Sequence, residues 1–411
     1  MSDPLGPDST IVVVGASLAG LRAAEEIRHE GHSGPVIVMG DEIHAPYDRP
    51  PLSKQLLSGK WDVARIHHHA PDKLDTLGLE FHLGRRAVGL DTDAHLVACN
   101  DGTTLSYDGL IVATGAQARP LPHTQGMHGV RTLRTLDDCL GIRADLEAAG
   151  DGARVVVIGA GFIGSEVAAT CRGRGARVTV VEALPTPLGR VLGEQMGDAC
   201  AALHRNQGVT VLTGVGVERI FDDPGAATRL AVHLANGLVL DADLVVVGIG
   251  VTPAVDWLED SGLPLENGVV CTETLFAADR VVAAGDVARW VHPSSGELLR
   301  VEHWTNAAEG GAAAARNLLA GSAAATPYDP VPFFWSDQYQ TKIQVIGLPG
   351  PDDEVVVVEG SVEEGKLVAL YRRGDRLQAV LAFSQPRHLM TYRPLLAARA
   401  SFDEALAVSR S

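Results

Sequence analysis

Short runs of β-branched residues punctuate the chain, and two of them lead directly into glycine-rich turns followed by alanine-rich stretches. Residues 11–14 enter Gly15-Ala16-Ser17-Leu18-Ala19-Gly20, and residues 155–158 enter Gly159-Ala160-Gly161-Phe162-Ile163-Gly164, 144 positions later. An apolar run closed by glycines reads as a buried strand, and the alanine-rich stretch after each turn reads as a helix, over 20–30 in the first copy. A second strand is expected at 36–39, ending on Gly40-Asp41-Glu42. Its counterpart at 178–181 ends on Glu182.

The repetition continues downstream. Asp101-Gly102 is followed by Leu105, Asp108, Ile111, Val112 and Ala113-Thr114-Gly115; Asn236-Gly237 is followed by Leu240, Asp243, Val245, Val246 and Gly248-Ile249-Gly250. In both copies the aspartate follows the hairpin glycine by six positions and precedes the closing glycine by seven. Such matching spacing argues for two related nucleotide-binding modules. A strand pattern at 277–284, ending on Ala284-Gly285-Asp286, and an alanine-rich helix from Trp304 to Leu319 come after the second module. They are read as the chain returning to complete the first domain. From Pro327 the pattern alternates, at 342–346, 354–358, 367–372 and 377–383, which predicts an antiparallel sheet closed by a helix around 390–398. The expected fold class is α/β: two Rossmann-like domains, 1–119 with 251–325 and 120–250, plus a C-terminal α+β domain at 326–411. The proline-rich stretch 46–54 predicts a stiff extended loop feeding a helix around 53–57.

Composition narrows the function classes. With 411 residues, 45 glycines and 5% aromatic residues, the chain suits α/β layers, and its net charge of −17 argues against nucleic-acid binding. No run of about 18 apolar residues suggests a membrane span, and no leader pattern opens the chain, so a cytoplasmic location is expected. Five scattered cysteines lack any Cys-x-x-Cys pair and read as small buried residues. His67-His68-His69 reads as a solvated loop, and no metal is expected.

A strand-turn-helix unit with glycines at the turn presents backbone N–H groups to a pyrophosphate, so two such units imply two dinucleotides. Asp41 is placed to accept a ribose hydroxyl in the first. In the second, Glu182 favours a free 2′-hydroxyl and hence NADH over NADPH, a preference that nearby Arg190 weakens. Arg49 and Lys54 are cations on the proline-stiffened loop. Ser17 stands where the fingerprint has its second glycine.

These residues resemble the FAD-dependent, NADH-using ferredoxin reductases that supply bacterial ring dioxygenases and haem monooxygenases. The shared runs include Val14-Gly15-x-Ser17-x-Ala19-Gly20, Gly40-Asp41-Glu42, Pro50-Pro51-Leu52-Ser53-Lys54, Ala113-Thr114-Gly115, Gly159-Ala160-Gly161-Phe162-Ile163-Gly164-x-Glu166, Gly285-Asp286 and Trp335-Ser336-Asp337-Gln338-Tyr339. The resemblance implies a glutathione-reductase-like architecture. It implies FAD held by Gly15, Ser17, Ala19, Gly20, Asp41, Arg49, Lys54, Val88, Ala113, Thr114, Gly115, Arg134, Asp286 and Trp304. NADH would be held by Gly159, Gly161, Phe162, Ile163, Gly164, Glu166, Glu182, Arg190, Gly248, Ile249 and Gly250. Lys54 near the flavin N5, Glu166 near the nicotinamide and Trp335 against the flavin would be the catalytic set. The implied partner is a [2Fe–2S] ferredoxin, and through it an oxygenase, met by a monomer or weak homodimer. Arg289, Arg300, Lys342, Arg372, Arg373 and Arg387 are candidate docking cations. The stretch 41–54 has no cysteine, which sets the chain apart from thiol-using flavoenzymes. An NADH-responsive flavoprotein resembling apoptosis-inducing factor, or a thiol-independent NADH oxidase, is the alternative, and a non-catalytic binding module is a further one.

Overall fold

The structure, a computed structural model, describes residues 3–222 and 229–409. The chain forms two compact units, Met1–Asp48 with Ala64–Gln117 and Thr252–Pro332, and Arg49–Val63 with Ala118–Val251 and Phe333–Ser411. Six segments thus alternate between the units. Residues 49–63, grouped with the first module from sequence, pack with the second unit.

The first unit is built on a six-stranded sheet in the order Phe276–Ala278, Val281–Ala283, Gly109–Val112, Ile11–Val14, Val36–Gly40, Glu80–Leu83. Neighbours run parallel except at the Phe276–Ala278 hairpin. Ile11–Val14 is buried along its whole length, as expected of a strand covered on both faces. The helices Leu18–His29 and Trp304–Ala320 approach so closely that a Cβ on Gly311 would lie 2.3 Å from the Ala19 carbonyl oxygen.

The second unit carries a five-stranded parallel sheet, Thr210–Leu212, Arg177–Val181, Arg154–Ile158, Leu244–Val247, Val130–Thr132. A separate antiparallel sheet is ordered Phe333–Gln338, Thr341–Gly347, Arg376–Phe383, Lys366–Arg373, Glu354–Ser361. The helix Gly189–Asn206 covers this second sheet, with Leu192, Met196 and Cys200 packed among Ile343, Leu367, Tyr371 and Leu381. Gly193 (φ +74°) breaks the helix, and the Tyr371 hydroxyl donates to the neighbouring Leu192 carbonyl at 2.9 Å.

The duplication is physical. In each module the aspartate before the fourth strand accepts from the amide that opens the first: Thr10 N to Asp108 at 2.7 Å, Arg154 N to Asp243 at 2.8 Å. In return, each aspartate's amide donates to the carbonyl of that same residue. The paired sequence spacings of Asp108 and Asp243 are those of a latch joining two parallel strands at their starts.

Four local expectations need correction. The strand expected at 277–284 is a hairpin, because Asp279 and Arg280 interrupt the apolar run and Arg280 turns at φ +57°. The helix expected around 53–57 is instead a 3₁₀ turn at Pro50–Ser53, begun by prolines whose fixed φ suits a helix start. The closing helix is two short ones, Pro386–Thr391 and Arg393–Ala397, since Pro394 cannot donate to a continuing helix. The histidine run is not a solvated loop: His67 bridges to Tyr47, His69 bonds Glu25, and burial lowers the pKa of His68.

Candidate functional site

The two glycine turns are built alike. Gly15 (φ +120°) and Gly159 (φ +94°) sit against the tip of the fourth strand, where a Cβ would lie 2.1 Å from the Ala113 oxygen and 2.3 Å from the Gly248 oxygen. Gly20 and Gly164 close the turns inside the first turn of each helix, and a Cβ there would meet the Gly15 and Gly159 oxygens at 1.8 and 2.1 Å. No side chain can occupy these four positions without moving backbone. Gly161 differs, because a Cβ there would face open space. The corresponding Ser17, at the N-cap of Leu18–His29, therefore meets no clash with the protein itself.

Both following helices, Leu18–His29 and Phe162–Gly173, start without a side-chain cap and without an acidic residue in the first turn. A helix start with no side-chain cap, glycine-thin walls and no acid in its first turn fits a dinucleotide pyrophosphate in each module.

The acid at the second-strand tip is offset between copies, for a steric reason. Gly15 N donates to Met39 O and Gly159 N to Val181 O, so Gly40 is the counterpart of Glu182. A Cβ on Gly40 would lie 2.8 Å from that of Ala16, so the first module carries its acid one position later, on exposed Asp41. Glu182 accepts from the amides of Ala160 at 2.7 Å and Leu184 at 2.8 Å, which pins it to the turn.

The other sequence candidates are distributed as follows. In the first unit, Thr114 donates to Ala254 O at 2.8 Å beside Gly115 (φ +68°), and the Trp304 indole donates to Asp48 at 2.7 Å. Asp286 lies in the turn Gly285–Val287, its carbonyl accepting from Arg300. Val88 is 46% exposed on the strand Ala87–Asp91, in a separate three-stranded sheet. In the second unit, Ile163, Ile249 and Arg190 are exposed around the turn, and Gly250 has φ +98°. Phe162 is partly buried and packs edge-on against Phe334, centroids 4.7 Å apart, so its ring adds to the C-terminal core. Arg49 donates to the Arg134 carbonyl at 2.6 Å. Trp335 stacks on Phe333, on the opposite face of its strand from Ser336.

Lys54 and Glu166, 112 positions apart, form a buried ion pair at 2.6 Å. The same Glu166 oxygen accepts from Ser53 Oγ at 2.5 Å, and the other accepts from Ser336 Oγ at 2.7 Å and Asp337 N at 3.2 Å. Thr170, one turn further along the helix, donates to the Ser53 carbonyl at 2.7 Å, and the Cys139 thiol caps Leu52 O. The proline-stiffened loop is thereby fastened to the helix bearing Glu166. Ser53 and Ser336 were missed as site residues from sequence, although both lie inside runs that carry the family resemblance.

Among the described residues all five cysteines are free and buried, and burial pushes Cys139, Cys171, Cys200 and Cys271 up to about 12, which leaves those four thiols unreactive. One group with metal-ligand spacing, Glu26, His29 and Glu30, is partly to fully exposed, and Glu26 already pairs with Arg316. Among the described residues no helix is long and apolar enough to cross a membrane.

Burial lowers His204 to about 4. Above pH 6.5 the ring is neutral folded and unfolded, so it contributes no pH dependence. Between about 6.5 and 4 only the unfolded chain takes up the proton, and stability falls by about 3 kcal/mol across that window. Chemical denaturation from pH 7.5 to 4.5 is expected to show this loss, and His204→Gln to flatten it. Parallel profiles for the two proteins would refute the assignment.

The model of the pyridine nucleotide-disulphide oxidoreductase family matches residues 9–311, and that of a reductase C-terminal domain matches 333–411. Rhodocoxin reductase of Rhodococcus erythropolis is 37% identical over 98% of this chain and 95% of its own length; putidaredoxin reductase of Pseudomonas putida is 33% identical over 95% and 93%. Among solved structures, the covalent putidaredoxin reductase–putidaredoxin complex superposes with a TM-score of 0.89 at 32% identity, covering 95% of this chain and 93% of that one. A water-forming NADH oxidase of Lactobacillus brevis, at 20% identity and a TM-score of 0.85 over 97% of this chain and 92% of its own, shares the fold. With a family model spanning most of its length and near full-length relatives above 30% identity, this chain belongs to the pyridine nucleotide-disulphide oxidoreductase family and carries the family's reductase C-terminal domain.

Proposed function

We propose that the protein is a cytoplasmic NADH-dependent ferredoxin reductase, passing electrons through FAD to a [2Fe–2S] ferredoxin that supplies an oxygenase. The observation that carries this reading is the pair of equivalent glycine turns on two parallel sheets. Full-length similarity to reductases named for rhodocoxin, putidaredoxin and dioxygenase systems supports the partner class. FAD is assigned to the module of 1–119 and 251–325, NADH to that of 120–250, and ferredoxin docking involves the C-terminal domain.

Bound FAD supplies the conversion between a two-electron hydride donor and a one-electron acceptor. The chain's residues bind, orient and shield. The turn at 15–20 would hold the FAD pyrophosphate with Asp41 on its ribose, and the turn at 159–164 that of NADH with Glu182. Lys54 would present a cation to the flavin while Glu166 fixes its position, and Trp335 would exclude water. Four of the six candidate docking cations already pair with acids: Arg289 with Glu266, Arg300 with Glu302, Arg372 with Glu354 and Arg373 with Asp353. Steering of an acidic ferredoxin by these groups is correspondingly blunted.

Stopped-flow reduction of the yellow protein tests the reading. NADH is expected to reduce the flavin at least tenfold more efficiently than NADPH, in line with Glu182, and a [2Fe–2S] ferredoxin to accelerate turnover. Slow NADH oxidation with a persistent charge-transfer band and no response to any ferredoxin would favour the NADH-responsive alternative.

A further inference from the structure

We propose that Ser336, itself held by Gln338, is a positioning residue for the Lys54–Glu166 pair. The inference rests on the reading that places Lys54 beside the flavin, and it gives work to the Ser-Asp-Gln-Tyr residues that the proposed function leaves idle.

The strand Phe333–Gln338 alternates strictly, with Phe334, Ser336 and Gln338 buried on one face. These three meet successive partners: Phe334 packs on Phe162, Ser336 donates to Glu166 at 2.7 Å, and Gln338 Nε2 donates to Ser336 Oγ at 3.3 Å. A strand face that is apolar at its start turns polar as it nears the carboxylate. Ser336 and Gln338 are 0% exposed, Glu166 and His204 2%, so water does not satisfy them.

Gln338 therefore donates to Ser336 and Ser336 to Glu166, two aligned donors that polarise one another and end on the carboxylate. His204 Nδ1 lies 2.8 Å from the Tyr339 hydroxyl. Tyr339 itself sits at φ +57°, a costly backbone for an aromatic residue. That turn lets its hydroxyl meet His204, the helix residue next to its neighbour Gln338, instead of projecting from the opposite face.

The chain has a mechanical consequence for the ion pair. Ser336 and the Asp337 amide hold one carboxylate oxygen, which leaves the other aimed at Ser53 and Lys54. Without Ser336 the carboxylate is free to pivot, and the ammonium it restrains moves with it.

The test compares wild-type holoenzyme with Ser336→Ala, Ser336→Thr and Gln338→Met. Three quantities are read: the limiting rate of flavin reduction at saturating NADH, the NADH dissociation constant, and the Glu166 carboxylate infrared band, assigned with Glu166→Gln. Ser336→Ala is expected to lower the limiting rate about tenfold, as for loss of a hydrogen bond to a charged group. The dissociation constant should stay within about twofold, and the band should shift. Ser336→Thr restores both rate and band, and Gln338→Met, of similar volume, shifts the band by a smaller amount in the same direction. An unshifted band in Ser336→Ala overturns the proposal. A shifted band with an unchanged limiting rate upholds the chain and overturns the placement of Lys54 beside the flavin.

Discussion

Glu166→Ala is expected to lower stability by about 3–5 kcal/mol, the range for breaking a buried ion pair from one side. The side chains are 3% and 11% exposed, so the ammonium of Lys54 would be left inside without its counter-charge, and Ser53, Ser336 and the Asp337 amide would lose their acceptor together. The double replacement Lys54→Met with Glu166→Leu removes the stranded charge and should recover the part of the loss due to it, while Ser53, Ser336 and the Asp337 amide still lack their acceptor. Urea unfolding of FAD-replete protein measures both. A single-variant loss under about 1 kcal/mol would mean that water or another anion reaches the site.

The second large effect separates the two modules. Gly20→Ala and Gly164→Ala each place a methyl carbon within about 2 Å of a carbonyl oxygen in the same turn, so the helix start must move before either chain can fold. If the modules divide the cofactors as proposed, the outcomes differ in colour. The first variant should purify largely without flavin. The second should remain yellow yet bind NADH about a hundredfold more weakly, a shift of about 2.7 kcal/mol. Full flavin content in Gly20→Ala, or wild-type NADH affinity in Gly164→Ala, would contradict the division.

Much of this was legible in the primary structure, and particular residues show why. The glycine turns, the strands beside them and the Asp108 and Asp243 latches follow from short-range chemistry: a strand needs its apolar run, a tight turn needs positive φ, and both repeat at fixed spacing. The Lys54–Glu166 pair was present as two isolated candidates, because nothing local to either residue reports a contact across 112 positions. Ser53 and Ser336 were invisible as site residues for a related reason. A serine on a strand is ordinary, and only the fold shows that its hydroxyl faces a buried anion. The local errors came from competition between patterns of similar strength. Asp279 and Arg280 were too short an interruption to outweigh eight residues of strand pattern, and Pro394 could as well begin a helix as end one. The offset between Asp41 and Glu182 needed coordinates, since it is set by the space beside Ala16.

The donors to Glu166 also impose an order on synthesis. Ser53 and Lys54 leave the ribosome before the carboxylate does, but Ser336 emerges 170 residues after it. At typical translation speeds that interval is roughly ten to thirty seconds. Throughout it the nascent helix carries an anion with half of its final ligands, and the apolar face of Leu192, Met196 and Cys200 has no sheet to cover it. The segments assigned to the second unit cannot complete their interior until the polypeptide is nearly finished, so this half of the molecule is the one expected to lean on chaperones during biogenesis.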